Sequence, residues 1–248
     1  MPLPTYKVRL TANDAVTPTV RRLEFAFEGD KPFSYTPGQF VSFLLPGEEK
    51  PLKRSYSIGS LAESTRDVPG FEIVVAYVDG GRATEFFFAA EPGLVTEIQG
   101  PFGLLVMPEN LPRRFFLIGT GTGIAPYRTM LPQIEKRLRE ENCEIHVLFG
   151  IRSPEELFYG EDFLRYARDN EHFHAHFCYS RRLPDEPGPH DSLGYVQERL
   201  GSLDPDPETD LVYLCGNPKM VDDVFSLLQE KEFPTRQVKR EKYVFSKF

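Results

Sequence analysis

Four separate stretches of this chain hold side chains suited to a nucleotide-like ligand. The first, Arg54-Ser55-Tyr56-Ser57-Ile58-Gly59-Ser60, sets a guanidinium, an aromatic ring and hydroxyls within a few residues, enough for one strand to hold a planar ligand with polar edges. Side chains alternate along a strand, so Arg54 and Tyr56 are expected on one face and Ser55 and Ser57 on the other. The second, Gly80-Gly81-Arg82-Ala83-Thr84, leads glycines into a helix start, where unpaired N–H groups and the helix dipole favour an anion. The third, Gly119-Thr120-Gly121-Thr122-Gly123-Ile124-Ala125-Pro126, follows an apolar strand and opens a helix, the place where glycines let a backbone approach a pyrophosphate. It is neither the full dinucleotide fingerprint nor a P-loop, for it lacks the lysine. A tight strand–helix turn is the plain alternative, but three alternating glycines and two threonines exceed what such a turn needs. The fourth, Cys215-Gly216-Asn217-Pro218, ends a strand and starts a helix. A lone cysteine is commonly a small buried hydrophobe, yet here its thiol is expected at the same strand edge as the glycine loop, within reach of a reacting nicotinamide ring.

Two further positions bear on which nucleotide fits. A domain preferring NAD carries an acid at the end of its second strand, whereas this chain reads Gly150-Ile151-Arg152 with no acid before Glu155. The third strand ends in Ser180-Arg181-Arg182. Guanidinium forks suit a dianionic 2′-phosphate, so NADP is favoured over NAD, against the plain reading of solvated loop arginines.

Composition narrows the classes. With 29 Lys and Arg against 37 Asp and Glu the formal charge is −8, which argues against nucleic acid as a partner. No apolar run is long enough to span a bilayer, and Met1–Tyr6 has no signal-peptide core, so a cytoplasmic location is expected. Basic clusters stand at Lys50, Lys53 and Arg54 and again at Arg236, Lys239, Arg240, Lys242 and Lys247. Cys143, Cys178 and Cys215 fit no metal or iron–sulfur spacing, so redox chemistry requires a bound organic cofactor. His172, His174 and His176 alternate on one strand. With no carboxylate or cysteine partner suggested nearby they read as an exposed edge strand, and no metal is expected.

The elements that must position these residues fall into two halves. Residues 6–100 read as antiparallel strands at Lys7–Thr11, Val20–Phe27, Phe40–Leu45, Arg54–Ile58, Phe71–Tyr77 and Val95–Gly100, with one helix at Ala83–Ala90, and this spacing predicts a small barrel. Pro108, Asn110 and Pro112 interrupt both periodicities and place a boundary between domains at 1–108 and 113–248. Beyond it, strands at Phe115–Ile118, Ile145–Phe149, Phe173–Tyr179 and Leu211–Leu214 alternate with helices at Tyr127–Glu141, Glu161–Asn170, Gly194–Leu200 and Pro218–Glu230. That alternation predicts a parallel sheet covered by helices on both faces. The segment Leu183–Asp191 is expected to be a loop.

The four stretches, in this order, resemble the ferredoxin–NADP(+) reductase family of flavoproteins over nearly the whole chain. The resemblance rests on Arg54-Ser55-Tyr56-Ser57, Gly80-Gly81-Arg82-Ala83-Thr84, Gly119–Pro126 and Cys215-Gly216-Asn217-Pro218-Lys219-Met220. It implies an FAD-binding antiparallel β-barrel followed by an NADP-binding α/β domain with a parallel sheet, and FAD at their junction. It implies FAD contacts from Arg54, Ser55, Tyr56 and Ser57, from Ala76, Tyr77 and Val78, and from Gly81, Ala83 and Thr84 at the helix start. NADP(H) contacts are implied for Gly121, Thr122 and Gly123, for Arg152, Ser180, Arg181 and Arg182 at the 2′-phosphate, for Tyr195 stacked on adenine, and for Gly216 and Met220. Ser57 and Cys215 would flank the hydride path. Glu241-Lys242-Tyr243 looks like the family's terminal acid and aromatic, so Glu241 and Tyr243 join the catalytic set and Tyr243 is expected over the flavin. The chain continues to Phe248, as bacterial members with C-terminal extensions do, and Phe248, counted among the FAD contacts, or Phe245 could instead cover the ring or the adenine. The implied function is electron exchange between NADP(H) and ferredoxin or flavodoxin by a monomeric enzyme. The alternatives are a flavin reductase, an oxygenase or hydrogenase electron-transfer subunit, or an NADP(H)-sensing module without turnover.

Overall fold

Period-two alternation in the first half builds an antiparallel sheet with one buried face. The computed structural model describes residues 4–47 and 50–243, so Phe245 and Phe248 lie outside the described residues. The chain divides into two units, and residues 125–132 count with the first. That first unit contains β1 (Thr5–Thr17), β2 (Val20–Glu28), β3 (Phe40–Leu45), β4 (Leu52–Ser57), β5 (Gly70–Ala76), α1 (Arg82–Phe88) and β6 (Val95–Phe102). All pairings are antiparallel, in the order β4-β3-β6-β1-β2-β5. β1 breaks register between Leu10 and Ala12 and again between Ala15 and Thr17, and such bulges bend a long strand around a barrel. The two edge strands meet at one end, where Gly59 N–H donates to the Glu72 carbonyl at 2.7 Å.

Aromatic rings fill this unit. Phe25 and Phe71 stack at 5.5 Å, and Phe43 meets Phe87 of α1 edge-on at 5.1 Å. Tyr56 joins them, with edge-on contacts to Phe43 and Phe87 at 5.9 and 5.3 Å. Burial pushes its phenol well above the ordinary range. On the opposite face of β4, Ser55 Oγ shares a hydrogen bond with Ser42 Oγ at 2.8 Å.

Continuous apolar runs in the second half give strands buried on both faces, as a parallel sheet demands. The order of elements is β7 (Arg114–Thr120), a 3-10 turn (Gly121–Ile124), α2 (Ala125–Leu138), β8 (Glu144–Ile151), α3 (Gly160–Asp169), β9 (Phe173–Tyr179), β10 (Asp191–Leu193), α4 (Val196–Ser202), β11 (Asp210–Gly216), α5 (Pro218–Glu230) and β12 (Val238–Lys242). The strands are parallel in the order β10-β9-β8-β7-β11-β12. The connection after β7 runs to β8 and the connection after β11 runs the other way, to β12, so the switch point of the sheet lies between β7 and β11.

Both unforeseen strands, β10 and β12, are edges. Neither carries an apolar run: β12 reads Val-Lys-Arg-Glu-Lys and has one buried residue, Val238. Charged edges of this kind resist pairing with other chains, and charge hides them from pattern reading. The histidine expectation also fails. β9 is not an edge strand, because it pairs with β8 on one side and β10 on the other. A carboxylate partner exists as well, since Glu144 and His146 of β8 stand beside His174.

One ion pair organises the start of the second sheet. Asp210 is 1% exposed and receives Arg114 Nε at 3.2 Å and Nη2 at 2.6 Å. The same guanidinium caps the carbonyls of Leu203 and Asp204 at 2.8 and 2.9 Å, while Asp210 also accepts the Asp206 N–H at 2.7 Å. Removing one partner of such a buried pair strands the other. Asp210→Ala is therefore expected to cost about 3–5 kcal/mol, read as a lower urea midpoint; an unchanged midpoint would show that the pair contributes nothing.

Candidate functional site

At the switch point the backbone of the glycine loop lies against the end of β11. A Cβ built on Gly123 would stand 2.3 Å from the Cys215 carbonyl oxygen, and one on Gly216 would stand 2.7 Å from the Thr120 carbonyl. Gly216 also has φ +124°, a conformation that side chains disfavour. Thr120 Oγ1 accepts the Asn217 N–H at 3.0 Å and so staples the two strand ends together. Asn217 then caps α5, its Oδ1 accepting the Lys219 N–H at 2.8 Å, with Pro218 in the first turn. Gly121 is different, since it has φ +53° and open space where a Cβ would be. Close packing thus accounts for Gly123 and Gly216, and Gly121 is the glycine of this loop that leaves room for a ligand.

Cys215 has no exposed surface, and burial pushes its thiol far above its ordinary pKa, opposed in part by a hydrogen bond with Tyr243. The thiol is therefore neutral. Tyr243 lies over the loop: its N–H donates to the Gly216 carbonyl at 2.9 Å and its hydroxyl to the Thr122 carbonyl at 3.3 Å. The sequence expects an accessible thiol at the strand edge, whereas the fold buries it with Tyr243 hydrogen-bonded to it. β12 sets Glu241 in register with Cys215 and Lys242 with Gly216, so the C-terminal acid reaches this edge through a strand that pattern reading missed.

The ends of β8 and β9 bring the arginines together. Ser180 N–H donates to the Ile151 carbonyl at 2.9 Å, and the Arg181 and Arg182 N–H groups to the Arg152 carbonyl at 3.0 and 3.2 Å. Two of the three guanidiniums are already engaged, Arg152 with Glu156 and Arg182 with Glu155. Arg181 is exposed. These acids follow Arg152 by three and four residues, and only the 3-10 turn at Pro154–Glu156 folds them back, so composition alone gave no sign of the pairing. Tyr195 at the start of α4 is 56% exposed, held by its N–H donating to Glu198 Oε2 at 3.1 Å. Met220 is placed elsewhere: it is buried in the apolar layer with Val221 and Val224.

In the barrel unit Ser57 ends β4 and is buried, and Arg54 Nη1 donates to the Lys53 carbonyl at 2.9 Å. Ala76 ends β5, Tyr77 beyond it is 44% exposed, and Val78 follows half-buried. Thr84 turns inward. Its Oγ1 accepts the Val78 N–H at 3.2 Å and lies 2.8 Å from the Gly81 carbonyl, locking the turn that leads into α1. Ala83 is buried too, so the groups of this turn that suit an anion are the backbone N–H groups of the helix start, which have no acceptor within the helix. A residue the sequence does not single out fixes the backbone just beyond β4: Arg128, in the part of α2 that belongs to this unit, donates to the Gly59 carbonyl at 2.6 Å and to Glu72 Oε1 at 2.8 Å. No motif marks it, because its partners are 69 and 56 residues away in sequence.

Comparison with known proteins agrees with this layout. A family model for an oxidoreductase FAD-binding domain matches residues 7–107, and one for an oxidoreductase NAD-binding domain matches residues 117–225. The chain is 31% identical over 249 residues to ferredoxin–NADP reductase B of Sorangium cellulosum, covering 96% of this chain and 97% of that protein. It belongs to the ferredoxin–NADP reductase family. It is also 27% identical to the reductase component of a propane 2-monooxygenase from Rhodococcus jostii, of which it spans 66%. Among solved structures, the Amycolatopsis cytochrome P450 reductase GcoB has a TM-score of 0.83 at 25% identity, covering 97% of this chain and 70% of that one. A Neisseria gonorrhoeae ferredoxin NADP+ reductase with bound FAD and NADP has a TM-score of 0.77 at 20% identity, covering 96% and 98%, and shares the fold. This reductase is a flavoprotein oxidoreductase with FAD-binding and pyridine-nucleotide-binding domains. No helix among the described residues is long and apolar enough to cross a membrane.

The packing at Gly123 carries a direct consequence for the reductase. Gly123→Ala places a methyl group against the rigid Cys215 carbonyl, and overpacking of this kind costs about 1–3 kcal/mol. The variant is expected to melt at lower urea and to bind pyridine nucleotide more weakly by fluorescence titration, whereas wild-type behaviour in both would show that the loop relaxes freely.

Proposed function

We propose that this reductase exchanges electrons between NADP(H) and a one-electron protein carrier, ferredoxin or flavodoxin, using FAD bound in its first domain, and acts as a monomer. Bound FAD supplies the link between a two-electron hydride donor and one-electron acceptors. The chain's own residues bind and orient. Arg54, Ser55, Tyr56 and Ser57 hold the flavin strand, with Arg128 and Glu72 fixing its end, and the N–H groups around Gly81, Ala83 and Thr84 receive the pyrophosphate. Ala76, Tyr77 and Val78 extend the flavin contacts. Gly121, Thr122, Gly123 and Gly216 shape the nicotinamide nucleotide's loop, and Cys215, Glu241 and Tyr243 border the reacting end. Because Tyr243 is hydrogen-bonded to the loop, it must move before a ring can rest against Cys215, so binding energy is spent on displacing it.

Arg181 carries the preference for NADPH. Its exposed side chain, next to Ser180 at the end of β9, supports a 2′-phosphate site, and the Sorangium relative and the Neisseria fold neighbour are NADP reductases by name. A second reading follows from a separate observation. Glu155 and Glu156 neutralise Arg182 and Arg152, which lowers the positive potential, and a Xanthobacter autotrophicus relative is the ferredoxin–NAD(+) reductase component of an alkene monooxygenase system. NADH use in the service of an oxygenase is that alternative.

Anaerobic titration of the purified flavoprotein separates these readings. NADPH is expected to bleach the flavin absorbance faster than NADH, and reduced protein to pass electrons to added ferredoxin or flavodoxin. Arg181→Ala is expected to lower the NADPH preference about ten- to a hundredfold, the loss of one hydrogen bond to a charged group. No bleaching by either nucleotide overturns the enzyme, and equal rates in wild type and variant remove the role of Arg181. Ser57→Ala is expected to keep its flavin and to be reduced about tenfold more slowly; loss of flavin from the purified variant would assign Ser57 to binding alone.

A further inference from the structure

The amino-terminal ends of β8 and β9, opposite the glycine loop, carry a second cluster. Glu144 and His146 are the first and third residues of β8, and His174 is paired in register with His146 on β9. Each offers one ligand atom, and the three atoms lie within 4.8 Å of one another. His146 is 7% exposed, and its Nε2 is buried without a hydrogen-bond partner; the Glu144 Oε2 it faces is 3.6 Å away. A buried nitrogen left unsatisfied in a folded chain is costly, and two imidazoles with a carboxylate are the donor set of a divalent transition metal. We propose that Glu144, His146 and His174 bind a single divalent cation of the zinc class, tying β8 to β9 away from the redox site.

The surroundings set the conditions for binding. His146 Nδ1 lies 3.1 Å from His176 Nε2, the outer contact that fixes a metal-ligating histidine. Beyond it, Arg199 of α4 approaches His176 Nδ1 with Nε at 3.3 Å and Nη2 at 3.1 Å. Arginine only donates, so His176 Nδ1 accepts, its proton sits on Nε2, and that proton goes to His146 Nδ1. Neutral His146 then carries its own proton on Nε2, the atom a metal needs. Coordination reverses the pair: the His146 Nε2 proton leaves to solvent, the His176 Nε2 proton passes to His146 Nδ1, and His176 takes up a proton from solvent at Nδ1. Both rings stay neutral, and Arg199, now facing a donor, must withdraw. Arg199 is thus a gate on the site. The rings of His146 and His174 stack at 4.6 Å with 22° between their planes, so binding one ion requires the half-exposed His174 to turn its edge toward it.

Zinc titration of the full-length flavoprotein by calorimetry, with thermal melts alongside, tests the proposal. One equivalent is expected to bind and to raise the melting temperature. His174→Ala and Glu144→Gln, at partly exposed positions that the fold tolerates, are expected to weaken binding about tenfold or more and to abolish the thermal shift, while His172→Ala keeps both. Arg199→Leu, which removes the donors, is expected to bind zinc more tightly than wild type. Binding that survives in His174→Ala, or that is lost in His172→Ala, or no binding at all, would overturn the site; affinity unchanged in Arg199→Leu would overturn the gate.

Discussion

Backbone packed on backbone at the end of β11 is the constraint from which the rest of the second domain follows. Gly123 meets the Cys215 carbonyl and Gly216 meets the Thr120 carbonyl with no room for a side chain at either place. Contacts between main chains have little freedom to adjust, so the loop, the end of β7 and the start of α5 behave as one piece. Thr120 ties that piece with a hydrogen bond to Asn217, which in turn caps α5. What remains open is the neighbourhood of Gly121, and this is where the packing leaves a ligand room.

The same closeness explains the state of Cys215. A thiol sealed under the loop and Tyr243 is held neutral by desolvation, and a neutral buried thiol is a small polarizable group rather than a nucleophile. Charge pairing shapes the ends of β8 and β9 in a comparable way. Arg152 and Arg182 are pre-paired with Glu156 and Glu155. Exposed ion pairs of this kind contribute little to stability, yet they hold side chains in place and dilute the positive charge that a 2′-phosphate would meet.

In the barrel, polar groups secure the backbone that follows β4. Glu72 and Arg128 form an ion pair with both side chains about nine-tenths buried, and the guanidinium also holds the Gly59 carbonyl. Thr84 closes the turn before α1 in the same manner. Both devices use side-chain hydrogen bonds to fix backbone, and at the start of α1 the first N–H groups have no acceptor within the helix, an arrangement suited to an anion.

Much of this was legible in the chain itself. Strand period, the strand–helix alternation and the four motifs determine two architectures and a nucleotide-linked flavoprotein, because burial period and turn chemistry are local properties written into successive residues. Phe40–Leu45, Phe173–Tyr179 and Pro218–Glu230 have the same bounds in the fold as in the reading of the sequence. The tertiary structure alone decided what depends on distant partners. It turned His172–His176 from an edge into an inner strand by adding β10, supplied Glu144 and His146 from β8, and gave β12 a place that its charged residues did not announce. It also buried Cys215 and Met220, and gave Arg128 partners 56 and 69 residues away. Such outcomes rest on which backbones come into contact, and no pattern along one segment encodes its neighbour.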